Sequence, residues 1–163
     1  MIFMLKYKYM KELSNGLLLW HSTGDRYMEG AQAVRRQVFV EDQNVLPRNE
    51  FDLLDIAAEH YTFFLPDMST AIATVRVRSE EENSVAIERL AVLYEYRHHG
   101  YGRSLLKLAE GDLRIKEVDL ARIEAPFYTR GFFEKLGFTG IGGPYEVTGD
   151  KVKMLKMFSY DED

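Results

Sequence analysis

A cation-rich segment with two glycines is the part of this sequence whose residue types best suit chemistry. Residues 97–107 include Arg97, Arg103 and Lys107 but no acidic residue. Gly100 and Gly102 lie in the same segment, and glycine lacks the Cβ that would keep an anion away from the backbone. Where such a segment enters a helix, free N–H groups and the positive end of the helix dipole favour an anion. These features predict a local phosphate site.

The spacing of the glycines distinguishes this segment from two well-known phosphate motifs. A Rossmann fingerprint needs three glycines and an acid on the next strand, and a Walker loop needs Gly-Lys followed by Ser or Thr. This segment has two glycines and no lysine directly after them. From the residue types alone, a phosphate loop and a plain connector with exposed basic side chains stay equally open.

A series of strands, followed by alternating strands and helices, surrounds this segment. Apolar spacing predicts helices from Tyr27, over residues 101–113 and over residues 127–136. Strands are predicted at residues 17–21, 60–65, 71–78, 85–92, 120–125 and 152–158. This order predicts an α+β domain with a mixed sheet. We expect the chemistry at the switch from strand 85–92 to the helix that follows it.

The composition predicts one domain, residues 1–163, with a fraying acidic tail at 159–163. The absence of cysteine excludes a disulfide framework and a Cys nucleophile, and it favours a cytoplasmic protein. No apolar run approaches the ~18 residues of a membrane span. The net charge of −5 argues against a nucleic-acid partner. The four histidines have no metal-ligand spacing, so no metal is expected.

Four short segments match the motifs of one known family. Residues 97–102 (Arg-His-His-Gly-Tyr-Gly) fit the pattern Gln/Arg-x-x-Gly-x-Gly/Ala at every position. Residues 88–92 (Glu-Arg-Leu-Ala-Val) resemble the strand before that loop, and residues 73–76 (Ala-Thr-Val-Arg) resemble the Gly-Thr-x-Arg of the preceding strand. Residues 132–138 resemble Phe-Tyr-Glu-Lys-Leu-Gly-Phe. Over residues 34–157 the chain resembles the GNAT superfamily of acyl-CoA-dependent N-acetyltransferases.

The resemblance implies a GNAT-like fold with acetyl-CoA as co-substrate. Its sheet would be mixed and mostly antiparallel, with about six or seven strands flanked by helices. A bulge would splay strand 85–92 from strand 120–125, and the acetyl thioester would lie in the gap between them. Backbone groups of the strand and the loop would hold pantetheine and pyrophosphate. The implied cofactor-binding residues are Leu90, Ala91, Val92, Arg97, His98, His99, Gly100, Tyr101, Gly102, Arg103 and Phe133.

Transfer of an acetyl group to an amine requires a base and a stabilised oxyanion. Glu88 is the candidate base, directly or through water. The equally weighted alternative is a strand carboxylate that pairs with Arg76, Arg89 or solvent. A backbone N–H near Leu90 or Val92 is the candidate oxyanion donor.

The proton donor to the leaving thiolate is the weak point of the resemblance. The family commonly has a tyrosine near the CoA sulfur, and this chain has Phe133 there. Tyr128 and Tyr145 are the substitute acids by sequence, although packing or rim roles suit both better. Otherwise the thiolate leaves unprotonated, or the protein binds acyl-CoA without turnover. Pro126 is a second departure, because the family often has Gln or Asn there.

The expected acceptor is a primary amine of a small molecule or peptide, attacked directly in a ternary complex. Five acids of the loop that borders the acceptor cleft are expected to be exposed: Glu41, Asp42, Glu50, Asp52 and Asp55. They either steer a cationic amine or, as the favoured alternative, cap the loop and pair with Arg35, Arg36 and Arg48. The alternative functions are a catalytically impaired acyl-CoA-binding regulatory module and, after it, an acyl-homoserine lactone synthase-like enzyme. Homodimers are frequent in the family.

Overall fold

One mixed sheet organises the part of the chain that the computed structural model describes, namely residues 8–24, 28–141, 147–148 and 150–160. In these ranges the sheet has nine strands in the order β1-β2-β3-β4-β5-β6-β9-β7, with β8 also paired to β9. The pair β5 and β6 is parallel and every other pair in these ranges is antiparallel. The strands are β1 Lys8–Glu12, β2 Leu18–Thr23, β3 Ala58–Phe64, β4 Ala71–Ser79, β5 Ser84–Val92, β6 Leu120–Pro126, β7 Thr139–Gly140, β8 Val147–Thr148 and β9 Lys151–Met157.

Helices lie on both sides of this sheet. The α-helices in the described ranges are α1 Glu29–Arg35, α2 Pro47–Glu50, α3 Tyr101–Ile115 and α4 Arg130–Lys135. A π-helical stretch, Arg36–Asp42, continues α1, and short 3-10 turns cover Leu53–Ala57, Tyr94–Tyr96 and Phe127–Thr129. The predicted GNAT-like mixed sheet with flanking helices is confirmed. The strand β1 and the two-residue strands β7 and β8 were not predicted.

The main core lies between α3 and one face of the sheet. Leu105, Leu106 and Leu113 of α3 are buried against alternate residues of β5 and β6, such as Ile87 and Ile123. The predicted apolar stripe of this helix is confirmed, with Leu108 only half-buried. Because strand side chains alternate between faces, the residues between these apolar ones point to the opposite side of the sheet.

The opposite face of the sheet is covered by α1. Val34 and Val38 are buried there with Ala91 of β5. Gly30 allows this close approach, because a Cβ at that position would lie 2.3 Å from Cζ of Phe64. Beyond α1, the same face carries the charged side chains of the candidate site.

The chain end after β9 is held against the connection between α3 and β6. The Phe158 N–H donates to the Asp119 carbonyl oxygen at 2.9 Å. The Tyr160 hydroxyl donates to the Val118 carbonyl oxygen at 2.6 Å. Of the tail expected to fray, residues 161–163 lie outside the described ranges.

Candidate active site

The strands β5 and β6 separate part-way along their length. They pair in parallel from Ser84 with Leu120 to Ile87 with Ile123 and no further. Beyond that point β5 stays paired with β4 up to Val92, whereas β6 stays paired with β9. The facing edges of the two strands are therefore open to a ligand that adds backbone-like hydrogen bonds.

A β-bulge in β5 explains the separation. Arg76 of β4 pairs with Glu88 and Thr74 pairs with Ala91, so two residues of β5 stand opposite Val75 alone. The first of the two is Arg89, which has a positive φ of 56°. A bulge bends its strand and increases its twist, which turns the end of β5 away from β6.

The open edge of β5 presents N–H groups to the gap. The Leu93 N–H donates to the Ile72 carbonyl oxygen of the neighbouring chain segment at 2.9 Å. Since alternate residues of a strand direct their backbone groups to opposite edges, the N–H groups of Leu90 and Val92 face the gap. These are the two residues predicted to stabilise the oxyanion.

The chain then passes through a loop into α3. Gly100 precedes the helix at φ 78°, and His98 has φ 63°. In the described chain, the consecutive N–H groups from His98 to Arg103 have no acceptor. An α-helix of 15 residues starting at Tyr101 adds the positive end of its dipole to this row of donors. The result is an anion-binding geometry at the predicted position.

Side chains support this loop in two ways. The Arg97 Nε donates to the Val92 carbonyl oxygen at 2.9 Å, which ties the loop to the end of β5. The ring of His99 stacks on that of Tyr101 with centroids 5.6 Å apart. Arg103 and Lys107 are exposed, and neither forms an ion pair with a residue that the structure describes. Their positive charges therefore remain available to an anion.

Charged residues line the gap between β5 and β6. The cleft has a volume of about 160 Å³, and its walls are formed by Ala86, Ile87, Glu88, Arg89, Arg122, Glu124 and Lys151. Of these residues, Glu88 alone was predicted from the sequence as a site residue. A signal for two more was present, because Arg122 and Glu124 alternate with buried residues of β6 and so point away from the core.

Comparison with known proteins gives this geometry a family. Residues 59–140, half of the chain, match the family model described as an acetyltransferase (GNAT) domain. The chain belongs to the GNAT family. The resemblance found in its motifs is thereby confirmed, and the chain is an acetyltransferase-family protein.

Individual relatives are similar to this GNAT chain in sequence or in fold. A Bacillus subtilis protein, YyaT, is 27% identical over 117 residues, which are 71% of this chain and 78% of that one. A candidate N-acetyltransferase of Lactobacillus plantarum has a solved structure that matches 86% of this chain and 97% of its own, with 28% identity and a TM-score of 0.77. The PaiA N-acetyltransferase of Thermoplasma acidophilum, solved with coenzyme A, matches 93% and 99% at 17% identity and a TM-score of 0.64.

Glu88, the candidate base of this GNAT domain, is held by two arginines. Its Oε2 accepts from the Arg76 Nη2 at 2.6 Å, and its Oε1 accepts from the Arg78 Nη2 at 3.0 Å. Burial by itself would raise the pKa of Glu88, but the hydrogen bonds and charges of the two arginines outweigh it and hold the pKa below 4.5. The carboxylate is therefore ionised at neutral pH and fixed in position.

The aromatic candidates lie in different environments. Phe133 is only 6% exposed and meets the rings of Phe132 and Phe138 edge-on at 5.0 and 5.8 Å. Phe132 is the neighbour nearer the loop, because a Cβ on Gly102 would lie 3.9 Å from its Cζ. Tyr128 is 81% exposed just after β6. Tyr145, the other candidate acid, lies outside the described residues.

The expectation that the loop acids are exposed is wrong for Glu50 and Asp55, which are buried. The Arg35 Nε donates to Glu50 Oε1 at 2.7 Å, and its Nη1 donates to Asp55 Oδ1 at 2.8 Å. The Arg76 Nη1 also donates to Asp55 Oδ1, at 2.9 Å. Burial raises the pKa of Glu50, whereas for Asp55 the two arginines outweigh burial and lower the pKa.

These ion pairs give Glu50 and Asp55 a structural role. This agrees with the favoured alternative, in which the loop acids pair with arginines such as Arg35. Asp52 caps the 3-10 turn Leu53–Ala57 by accepting from the Leu54 N–H at 3.1 Å. Glu41 and Asp42, in contrast, are exposed as expected. Within the described ranges, no group of three or more His, Asp or Glu side chains is arranged to hold a metal ion. None of the helices described there is long and apolar enough to cross a membrane.

Proposed function

We propose that this protein transfers an acetyl group from acetyl-CoA to a primary amine of a small molecule or peptide. The observation that carries the proposal is the open edge of β5 beyond Ile87, which runs directly into the unpaired N–H groups of residues 98–103. Acetyl-CoA suits both features, because its thioester and pantetheine arm would lie along the open strand edge and its pyrophosphate would lie at the N–H groups of the loop. The coenzyme A complex of PaiA, a protein of the same fold, supports this choice of co-substrate.

In this scheme the backbone does most of the binding. The N–H groups of Leu90 and Val92 donate to the ligand in the gap, and those of His98 to Arg103 donate to the pyrophosphate oxygens. Gly100 and Gly102 permit close approach because neither carries a Cβ. Arg97 positions the loop through its bond to the Val92 carbonyl oxygen.

The reaction is a direct attack on the thioester. The neutral amine nitrogen attacks the carbonyl carbon, a C–N bond forms, and the carbonyl oxygen becomes an oxyanion that backbone N–H groups stabilise. The C–S bond then breaks, and its electron pair leaves on the sulfur as a thiolate. At neutral pH the acceptor is mostly an alkylammonium, whose pKa is about 10.4. It therefore has to lose a proton before its nitrogen can attack.

Glu88 is the base of this scheme, acting through a water molecule. Its Oε2 accepts twice from Arg76 and its Oε1 accepts once from Arg78, so one lone pair of Oε1 is available to solvent in the cleft. A pKa held low makes Glu88 a weak base, and its advantage is a fixed negative charge close to the ammonium, which has to lose its proton before the neutral amine attacks. Glu124 lines the same cleft and is exposed, so it is the second carboxylate within the site.

A second candidate function is acyl-CoA binding without turnover. Phe133 favours it, because no hydroxyl stands at the position where the family commonly has a tyrosine, and the ring is buried in the core. A thiol pKa of about 8.5 nevertheless makes thiolate a fair leaving group without a proton donor. Turnover is therefore the first candidate and binding alone the second.

One assay separates the two candidates. Release of CoA thiol from acetyl-CoA is followed with a panel of amines, polyamines and peptides that have free N-termini, beside calorimetric titration with acetyl-CoA. Acceptor-dependent thiol release supports the transferase. Binding without release over the whole panel supports the binding module, and absence of binding contradicts both.

The double variant Arg97→Ala with Gly100→Ala tests the loop assignment. It is expected to weaken acetyl-CoA binding at least tenfold, because it removes the tie to Val92 and strains the turn before α3. Arg114→Ala is the matched control, since Arg114 lies in the last turn of the same helix. Unchanged affinity in the double variant would remove the basis of the proposed site.

A further inference from the structure

Arg89 adopts a backbone conformation that is unusual for its residue type. It is the first residue of the bulge in β5 and has a φ of 56°, in the left-handed region. Residues with a Cβ rarely populate this region, and those that do so inside a strand need support from their surroundings.

The Arg89 side chain is bound to a segment far away in the sequence. Its Nε lies 3.0 Å from Glu50 Oε2. Its Nη2 donates to the Asn49 carbonyl oxygen at 3.1 Å and to Asp52 Oδ2 at 3.4 Å. One guanidinium thus contacts three residues between 49 and 52, namely the last two of α2 and the residue just before the 3-10 turn Leu53–Ala57.

That segment is itself fixed to the body of the protein. Glu50 is 2% exposed and receives the Arg35 Nε on its other carboxylate oxygen. Arg35 also donates from Nη2 to the Glu50 carbonyl oxygen at 2.7 Å, and Asp52 is bound by Arg76 at 2.7 Å. Arg89 is therefore anchored to a segment that Arg35 and Arg76 tie to α1 and β4.

We propose that Arg89 is a positioning residue whose contacts with residues 49–52 hold the bulge of β5, and thereby the gap that receives acetyl-CoA. This inference rests on the proposed function of the same site. Leu90, whose N–H faces the gap, directly follows Arg89. If the bulge relaxed, β5 would pair continuously with β4 and the direction of that N–H would change.

A comparison of alanine and glycine at this position isolates the backbone role. Both substitutions remove the same three side-chain contacts. Glycine adopts a positive φ without strain, whereas alanine does not. We therefore expect Arg89→Ala to weaken acetyl-CoA binding about tenfold and Arg89→Gly to weaken it less than about threefold. A side chain that simply bound the ligand would give equal losses in both variants.

The experiment is calorimetric titration of the full chain with acetyl-CoA, which needs no acceptor. It compares the wild type, Arg89→Ala, Arg89→Gly and the control Arg48→Ala, whose exposed side chain lies in the same segment as Asn49. Each variant is first checked for the cooperative thermal unfolding of the wild type. If Arg89→Ala does not fold, Arg89→Met replaces it, with the same expected loss, because methionine also has a Cβ and no charge.

The outcomes separate this inference from the proposed function. A wild type that does not bind acetyl-CoA overturns the proposed function and this inference with it. A wild type that binds, together with equal losses in the alanine and glycine variants, overturns the role of Arg89 in the bulge alone. Unchanged binding in both variants does the same. Weaker binding in the alanine variant than in the glycine variant supports it.

Discussion

The Arg76 Nη2 lies 2.6 Å from Glu88 Oε2, so the candidate base is paired with a guanidinium that is itself 1% exposed. The pair joins β4 to β5 one residue before the bulge. It keeps a negative charge at the edge of the cleft at all pH values above the lowered pKa of Glu88. Glu88 is therefore a fixed charge first and a proton acceptor second.

Glu88→Gln is expected to lower kcat about a hundredfold, in the range that general bases contribute, with KM for acetyl-CoA changed less than about threefold. The reason is that the amide keeps the shape but loses the charge near the amine. Steady-state kinetics with an accepted amine measures both constants.

Glu80→Gln is the matched control for Glu88→Gln. Glu80 also pairs with Arg78, at 3.3 Å, but it does not line the cleft. An equal fall of kcat in both variants would show that loss of the ion pairs, rather than loss of a base, explains the effect.

The two loop glycines should respond differently to alanine. Gly100→Ala is expected to cost about 1–2 kcal/mol of unfolding free energy, because φ is 78° there. Gly102→Ala is expected to be neutral or stabilising by up to about 0.5 kcal/mol, since its Cβ would meet Val92 Cγ2 at an ordinary 3.5 Å within helical backbone. Urea unfolding measures both, and the reverse order would contradict the loop geometry.

Phe133→Tyr is expected to raise kcat or leave it unchanged while acetyl-CoA binding persists. The new hydroxyl would restore a proton donor at the family's usual position, and any partner it lacks in the buried site would cost about 1–3 kcal/mol of stability. Thiol release, calorimetry and thermal unfolding report the three effects separately. Loss of acetyl-CoA binding in a folded variant would show that this segment does not lie beside the thioester.

The ion pairs of Glu59 predict that the free energy of unfolding falls at acid pH. Burial alone would raise its pKa, but His21 and Lys116 outweigh it and lower the pKa from 4.5 to about 2. The contribution of the ionised Glu59 to the unfolding free energy is therefore complete above pH 4.5 and is lost as the pH falls towards 2. Glu59→Gln should lower the unfolding free energy by about 2 kcal/mol at pH 7 and by clearly less at pH 3. Urea unfolding at the two pH values checks this, and a difference that does not shrink would contradict the ion-pair origin.

Much of the fold was predictable because the signals are local. The strands predicted at 60–65, 71–78 and 85–92 correspond to β3, β4 and β5, and the predicted helix over 101–113 corresponds to α3. The phosphate loop was predictable for the same reason, since glycine spacing and clustered cations are read within eleven residues. The strand β1, Lys-Tyr-Met-Lys-Glu, has no clear alternation and was missed.

The electrostatic part of the site was not predictable from local patterns. Arg89 contacts Asn49, 40 residues earlier, and Arg76 contacts Asp55, 21 residues earlier. Acidic residues such as Glu50, Asp52 and Asp55 are ordinarily solvated, and only the tertiary fold brings guanidinium groups to them. For the same reason the anchoring of Arg89 could not be inferred before the strands were paired.

Asp55 accepts from both Arg35 and Arg76 through one oxygen, Oδ1. Each of these arginines is in turn shared with another acid, Glu50 for the first and Asp52 for the second. No single charge reversal in this cluster can be repaired by reversing one partner, because every member pairs with at least two others. Substitutions at these positions would therefore have to arrive together to be tolerated, so the residues of this cluster should diverge much more slowly than the exposed residues around them.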